Sequence, residues 1–337
     1  MKRLMKFTGL TIAAIAALQA PLVMADPVPF TGIGLMLDES SSMIASMPDS
    51  MNSYGSVRAV RWSTTGSYPD SGTVPAAVPS NSYYHNANCA AYTSMFITAA
   101  LHNFGYVQRQ TLPDAGGPLM PNDSVFIKTL SETVEEAITG VSGQGGYGPK
   151  PGDYYTYFAR GDRVPVNQQA GAPLAGFQSI PTVQAISAGD FIAIKNVTEC
   201  NDSVNQIDCS GHMATVVSAP VALPSRTGRT YFNSVVCDEY KVRIIDSTSS
   251  PHGDHQIRTS QGDTLDDRDT RVNADGSSIE GLGAGTMILC AAPLTGELVG
   301  YRWSFKSSDT YSNVAGTHYT NGKAVRLIMA GRLEIDE

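Results

Sequence analysis

Hydrophobic positions along the chain follow two periods in turn. Beyond Asn88, Tyr92, Met95, Phe96 and Ala99 recur at i, i+3, i+4 and i+7, the spacing of one helix face. Asn88 suits an N-cap, which predicts that Cys89 stands in the first turn of this helix. A second helix is predicted over 124–138, where Val125, Leu130, Val134 and Ile138 are apolar and Glu132, Glu135 and Glu136 lie between them. From Gly189 onward the text changes to strands. Phe191–Ile194, Met213–Val217, Val242–Ile245, Thr286–Leu289 and Val325–Met329 are short apolar runs bounded by turn residues. Residues 26–82 are rich in Ser, Pro and Gly and read as a loop-rich extension. The Gly-rich stretch 140–152 lacks the Lys-Ser/Thr ending of a phosphate loop and reads as a connector or flap. Helices first and strands afterwards predict an α+β domain with a helix packed on a mostly antiparallel sheet. No linker or internal repeat divides 26–337, which reads as one domain with insertions.

The first residues break this pattern and carry their own meaning. Lys2, Arg3 and Lys6 precede an apolar run from Leu10 to Leu18, and Val23 and Ala25 supply the small residues a signal peptidase requires. Residues 1–25 are therefore expected to be a cleaved signal peptide, and the protein to be exported by a bacterium, periplasmic or secreted. No run is long enough for a transmembrane helix. The formal net charge is −8, and removing Lys2, Arg3 and Lys6 leaves 20 basic against 31 acidic residues, or −11. That balance argues against nucleic acid or an anionic membrane as partner. A hydrophobic fraction of 42% excludes a disordered chain. No feature sets an oligomeric state, and no cofactor motif is present.

Export permits disulfides, and the five cysteines, Cys89, Cys200, Cys209, Cys237 and Cys290, leave an odd one. Cys200 and Cys209 bracket a polar loop, Cys237 and Cys290 sit in strand-like text, and any of the five could be unpaired on spacing alone. The surroundings of Cys89 favour it as the free thiol, with Cys200–Cys209 and Cys237–Cys290 as bridges. A thiol hydrolase needs a thiolate, an imidazole and a polar group that orients the imidazole. The free N–H groups and dipole of a helix N-terminus stabilise a thiolate, and Cys89 is placed for this. His212 opens one predicted strand and Asp246 ends another. If the two strands pair antiparallel, both residues meet at one rim of the sheet.

Ala188–Ile194, with its Gly189-Asp190 turn, and Gly211–Val217, a strand led by His212, resemble the corresponding strands of NlpC-type cysteine peptidases. These belong to the papain-like superfamily, as do the related CHAP amidases. The resemblance implies a papain-like fold, with an N-terminal catalytic helix on the sheet. It also implies hydrolysis of amide bonds, commonly in peptidoglycan peptides, by Cys89, His212 and Asp246 through a thioester. Residues 88–91 read Asn-Cys-Ala-Ala where many members have Asp-Cys-Ser-Gly, and Asp246 stands where many carry His or Asn.

Competing features are weaker. Asp208-Cys209-Ser210-Gly211 reproduces the family's nucleophile tetrapeptide, but a β-branched strand follows it, so Cys89 is the preferred nucleophile. His252 and His255 lack the helical His-Glu-x-x-His register of a zinc hydrolase. In the acidic stretch Asp263–Asp275, Arg271 stands at the first ligand position of a would-be calcium loop, which points to a solvated turn. Trp303 and the tyrosines of the C-terminal region read as core and surface. The expectation is an exported cysteine amidase or peptidase. The alternative is a secreted, non-catalytic binding or wall-associated protein.

Overall fold

The computed structural model describes residues 30–55, 58–65, 68–107, 124–130, 149–196, 211–231, 234–253, 257–258, 264–265, 268–273, 275–305, 307, 310–313, 319–320, 323–324 and 326–336. The expected signal peptide, Cys200, Cys209, His255 and residues 140–148 of the Gly-rich stretch lie outside the described residues.

Three helices of eight residues or more are described: α1 (Thr31–Ser46), α2 (Cys89–Asn103) and α3 (Pro151–Arg160). Residues 125–130 are also helical, and the remainder of the helix predicted over 124–138 lies outside the described residues. A small sheet joins β1 (Asn52–Ser53), β2 (Ala59–Arg61) and β3 (Tyr84–Asn86). The large sheet begins with β4 (Arg163–Pro165), β5 (Leu174–Ile180), β6 (Phe191–Asn196) and β7 (Gly211–Val216). Short β8 (Val221–Ala222) and β9 (Arg229–Thr230) precede the long β10 (Val236–Thr248). After the hairpin β11 (Ile257–Arg258) and β12 (Thr264–Leu265) come β13 (Gly281–Ala291), β14 (Leu298–Arg302) and β15 (Tyr311–Ser312). A second hairpin, β16 (Tyr319–Thr320) and β17 (Lys323–Ala324), leads into β18 (Arg326–Asp336).

Eleven of these strands form one sheet in the order β15-β14-β13-β10-β7-β6-β18-β5-β4, with β8 and β9 also paired to β10. Every pairing within it is antiparallel. Alternation along the strands divides the core in two. Phe191, Ala193, Met213, Ile245 and Leu282 face one side with the helices, and Ile192, Ile194, Ala214, Val216 and Ile244 face the other with Met287 and Leu289. Asn313 fastens the second side: its Nδ2 donates to the Leu298 and Ile328 carbonyls at 2.8 and 3.0 Å, drawing β14 toward β18.

The α+β, papain-like expectation is corrected here. The described chain is mostly β, dominated by the eleven-stranded antiparallel sheet, with few helices. Its strands run far beyond the apolar runs in the text: β10 spans 13 residues, and β13 and β18 span 11 each. Polar residues at alternate positions, Lys241 and Arg243 in β10 or Arg332 and Glu334 in β18, and glycines in β13 made those strands read short. The N-terminal extension, expected to be loop-rich, differs as well. It holds the 16-residue α1, whose buried Ile33, Met36, Leu37, Ser40 and Met43 keep a helical spacing.

Candidate active site

Asn88 accepts the Ala91 N–H at 2.9 Å, so α2 is side-chain capped and Cys89 is its first residue. The helix is buried from Cys89 to Leu101, because α1 covers one side and the strands β7 and β10 the other. Strand β7 runs antiparallel to β10, with Ile244 opposite Val216 and Ile245 opposite Thr215. The start of β7, with His212, therefore lies beside the end of β10, with Asp246. The hydroxyl of Ser247 donates to the Ala87 carbonyl at 2.5 Å and ties the end of β10 to the residue before the N-cap.

These ties bring all three expected residues together. His212 Nε2 lies 2.5 Å from Asp246 Oδ2, and its ring also hydrogen-bonds the Cys89 thiol, which falls to Nδ1. Cys89 Sγ is 3.9 Å from the Gly211 carbonyl oxygen and is itself 4% exposed. Burial pulls the His212 imidazole down, but the neighbouring Cys89 and Asp246 charges outweigh it and raise the group to about 9. Burial opposes the Asp246 charge too, yet Arg271 and then His252 and His212 hold its carboxyl well below the ordinary range.

Several participants escaped the sequence reading. Tyr54, just after β1, hydrogen-bonds Cys89, and burial followed by the nearby Cys89 and Asp246 charges pushes its phenol up to about 12. Asn52 fixes this segment by exchanging two 2.8 Å bonds with the Leu282 backbone of β13. Arg271, expected in a solvated turn, is fully buried and pairs with Asp246 Oδ1 at 2.9 Å and Asp269 Oδ2 at 2.7 Å. His252, set aside as half of a loop pair, lies 2.7 Å from Asp246 Oδ2. Room for these groups comes from β13. A Cβ on Gly283 would meet Arg271 Nε at 2.5 Å, and one on Gly285 would meet Asp269 Oδ2 and His252 Cβ at 2.7 Å. A glycine stripe in a strand is a readable sign of close approach, and Gly281, Gly283 and Gly285 formed one.

A cavity of about 420 Å³ opens beside the cluster. Tyr54, Gly211 and His212, each beside the Cys89 thiol, form part of its wall. Tyr301, Trp303, Tyr311 and Arg326 line it elsewhere, so Trp303 belongs to this wall and not simply to core or surface. His212, Asp246 and His252 could also present ligand atoms to a metal, all within 4.8 Å of one another. The lone pairs a cation would need are engaged in the hydrogen bonds that the three share, and the Arg271 guanidinium beside Asp246 repels a cation. Of the two expected disulfides, Cys237–Cys290 is formed with a Cα separation of 5.4 Å. Cys200–Cys209 lies outside the described residues.

No family model matches the chain, and no solved structure matches it. Over 163 residues it is 28% identical to "Uncharacterized protein R653" of Acanthamoeba polyphaga mimivirus, a stretch covering 48% of this chain and 59% of that protein. The resemblance to NlpC-type peptidases stands on its short motifs alone. Among the described residues, no helix is long and apolar enough to cross a membrane.

Proposed function

We propose that this protein is a thiol-dependent hydrolase of amide bonds, with peptidoglycan-type peptides as the first substrates to test. One observation carries the reading: a single imidazole, His212, bonds a thiol in the first turn of a helix on one side and a buried carboxylate on the other, at the wall of a cavity. Cys89 sulfur would attack the substrate carbonyl, and the His212 imidazolium would give its proton to the departing amine as the C–N bond breaks. His212 would then take a proton from water, which attacks the thioester and releases Cys89. Asp246 holds the ring so that Nδ1 faces the sulfur. The hydroxyl of Tyr54 and free backbone N–H groups at the start of α2 would donate to the oxyanion. The disulfide and the basic-apolar N-terminus fit an oxidising compartment outside the cytoplasm.

Purified sacculi digested with the protein, and the released fragments identified by mass spectrometry, test the reading. Wild type is expected to release peptide fragments with new carboxyl ends. Cys89→Ser should stay folded by near-ultraviolet circular dichroism and lose activity by about a thousandfold or more, because a serine hydroxyl there lacks the acidity of a thiol. Binding to sacculi without release would favour the non-catalytic alternative. Hydrolysis of them by folded Cys89→Ser would remove Cys89 from the chemistry.

A further inference from the structure

Asp246 Oδ2 accepts from two imidazoles at once, His212 at 2.5 Å and His252 at 2.7 Å. A Cys-His-Asp arrangement requires the first of these bonds and has no use for the second. The other His252 nitrogen, Nδ1, lies 2.7 Å from the Trp303 carbonyl oxygen. A carbonyl cannot donate, and an ionised carboxylate cannot either, so both His252 nitrogens face acceptor oxygens. The ring bridges Trp303, just past β14, and the Asp246 carboxylate. Trp303 closes over it, stacked on His252 at 3.8 Å between centroids and edge-on to His212 at 4.8 Å.

The charged groups facing His252 come from every side of it. Asp246 is on β10, and Asp269 accepts the His252 backbone N–H at 2.6 Å. Arg271 bonds both carboxylates, and the His212 ring is 6.0 Å away on β7. Asp246 is thus held on both oxygens, Oδ1 by the Arg271 guanidinium at 2.9 Å and Oδ2 by the two imidazoles.

Resting on the thiol-hydrolase reading, we infer that His252 is a positioning residue: it clamps Asp246 Oδ2 from the side opposite His212 and thereby sets the ring that serves Cys89. His252 does not line the cavity beside Cys89, so its effect runs through Asp246.

Three variants of the full chain separate clamping from plain packing. His252→Phe keeps the stack on Trp303 and loses both hydrogen bonds. His252→Gln places an amide N–H where Nε2 donates, and His252→Asn restores only the bond to the Trp303 carbonyl. Two readouts apply: the far-downfield proton resonance of the His212 Nε2–H bonded to Asp246, and the rate of Cys89 alkylation by iodoacetamide at neutral pH, resolved by peptide mapping. Wild type and His252→Gln should show the resonance and alkylate within about threefold of each other. His252→Phe and His252→Asn should lose the resonance to solvent exchange and slow alkylation about tenfold or more, the scale typical of orienting partners. A folded His252→Phe that keeps both the resonance and the wild-type rate overturns the inference, as does a His252→Gln no better than His252→Phe. A wild type without the resonance would remove the His212–Asp246 bond and the clamp with it. A wild type with the resonance but an inert Cys89 would count against the thiol chemistry and leave the clamp in place.

Discussion

His212 is the residue on which the site turns, and its environment makes a definite pH prediction. Its folded value, raised to about 9, lies above the ordinary value of 6.5, so the stability it contributes is complete below pH 6.5 and is lost as pH rises through about 9. Thermal stability should fall across that window in wild type and lose this dependence in His212→Ala, which differential scanning calorimetry would show. Hydrolysis should fail above the same pH, since a neutral His212 has no proton for the leaving group. A wild-type melting temperature flat from pH 6.5 to 9 would contradict the assignment. Asp246 acts in the opposite sense: held low, it supports the fold above its ordinary value of 3.8 and is lost in acid. Cys89, His212 and Asp246 were legible because each sits at the end of a periodic run, where an element delivers a side chain to a rim. Tyr54, His252, Arg271 and Trp303 were not, because they stand in irregular segments whose destination is fixed only by tertiary contact. Arg271 shows this best: in the text it spoils a calcium loop, and in the fold it pairs with two buried carboxylates.

At the scale of elements, the glycine stripe of β13 decides whether the cluster can assemble. Asp246 stands opposite Gly283 and Ile244 opposite Gly285, so these glycines share the face on which the charged groups lie. Gly285→Ala would push a methyl into His252 and Asp269, and overpacking of this kind costs about 1–3 kcal/mol. Chemical denaturation should register that loss, and Cys89 alkylation should slow with it. An unchanged midpoint and rate would mean that the strand relaxes freely, against the packing described. Helix boundaries were readable from caps and apolar spacing, as at Asn88. Strand lengths were not, because pairing along both edges of β10 and β13 carries polar and glycine positions that no local preference favours.

On the scale of the molecule, the Cys237–Cys290 bridge crosses between β10 and β13, the strands that hold Asp246 and the glycine stripe. Closing a loop of 53 residues is worth about 4 kcal/mol on the chain-entropy account. The Cys237→Ala, Cys290→Ala double variant should therefore unfold at markedly lower denaturant, while Cys89 in its folded fraction reacts as in wild type. The most direct test of the whole account compares one thiol in two states of the chain. An inert core cysteine, 4% exposed, would be protected by folding and react far more slowly than in the unfolded chain. A cysteine held by His212 at a helix N-terminus should do the reverse. Alkylation of Cys89 by iodoacetamide at neutral pH, measured by peptide mapping in native protein and in urea, is expected to be faster in the native state. That advantage should disappear in His212→Ala. Native Cys89 reacting more slowly than the unfolded chain would contradict the central claim.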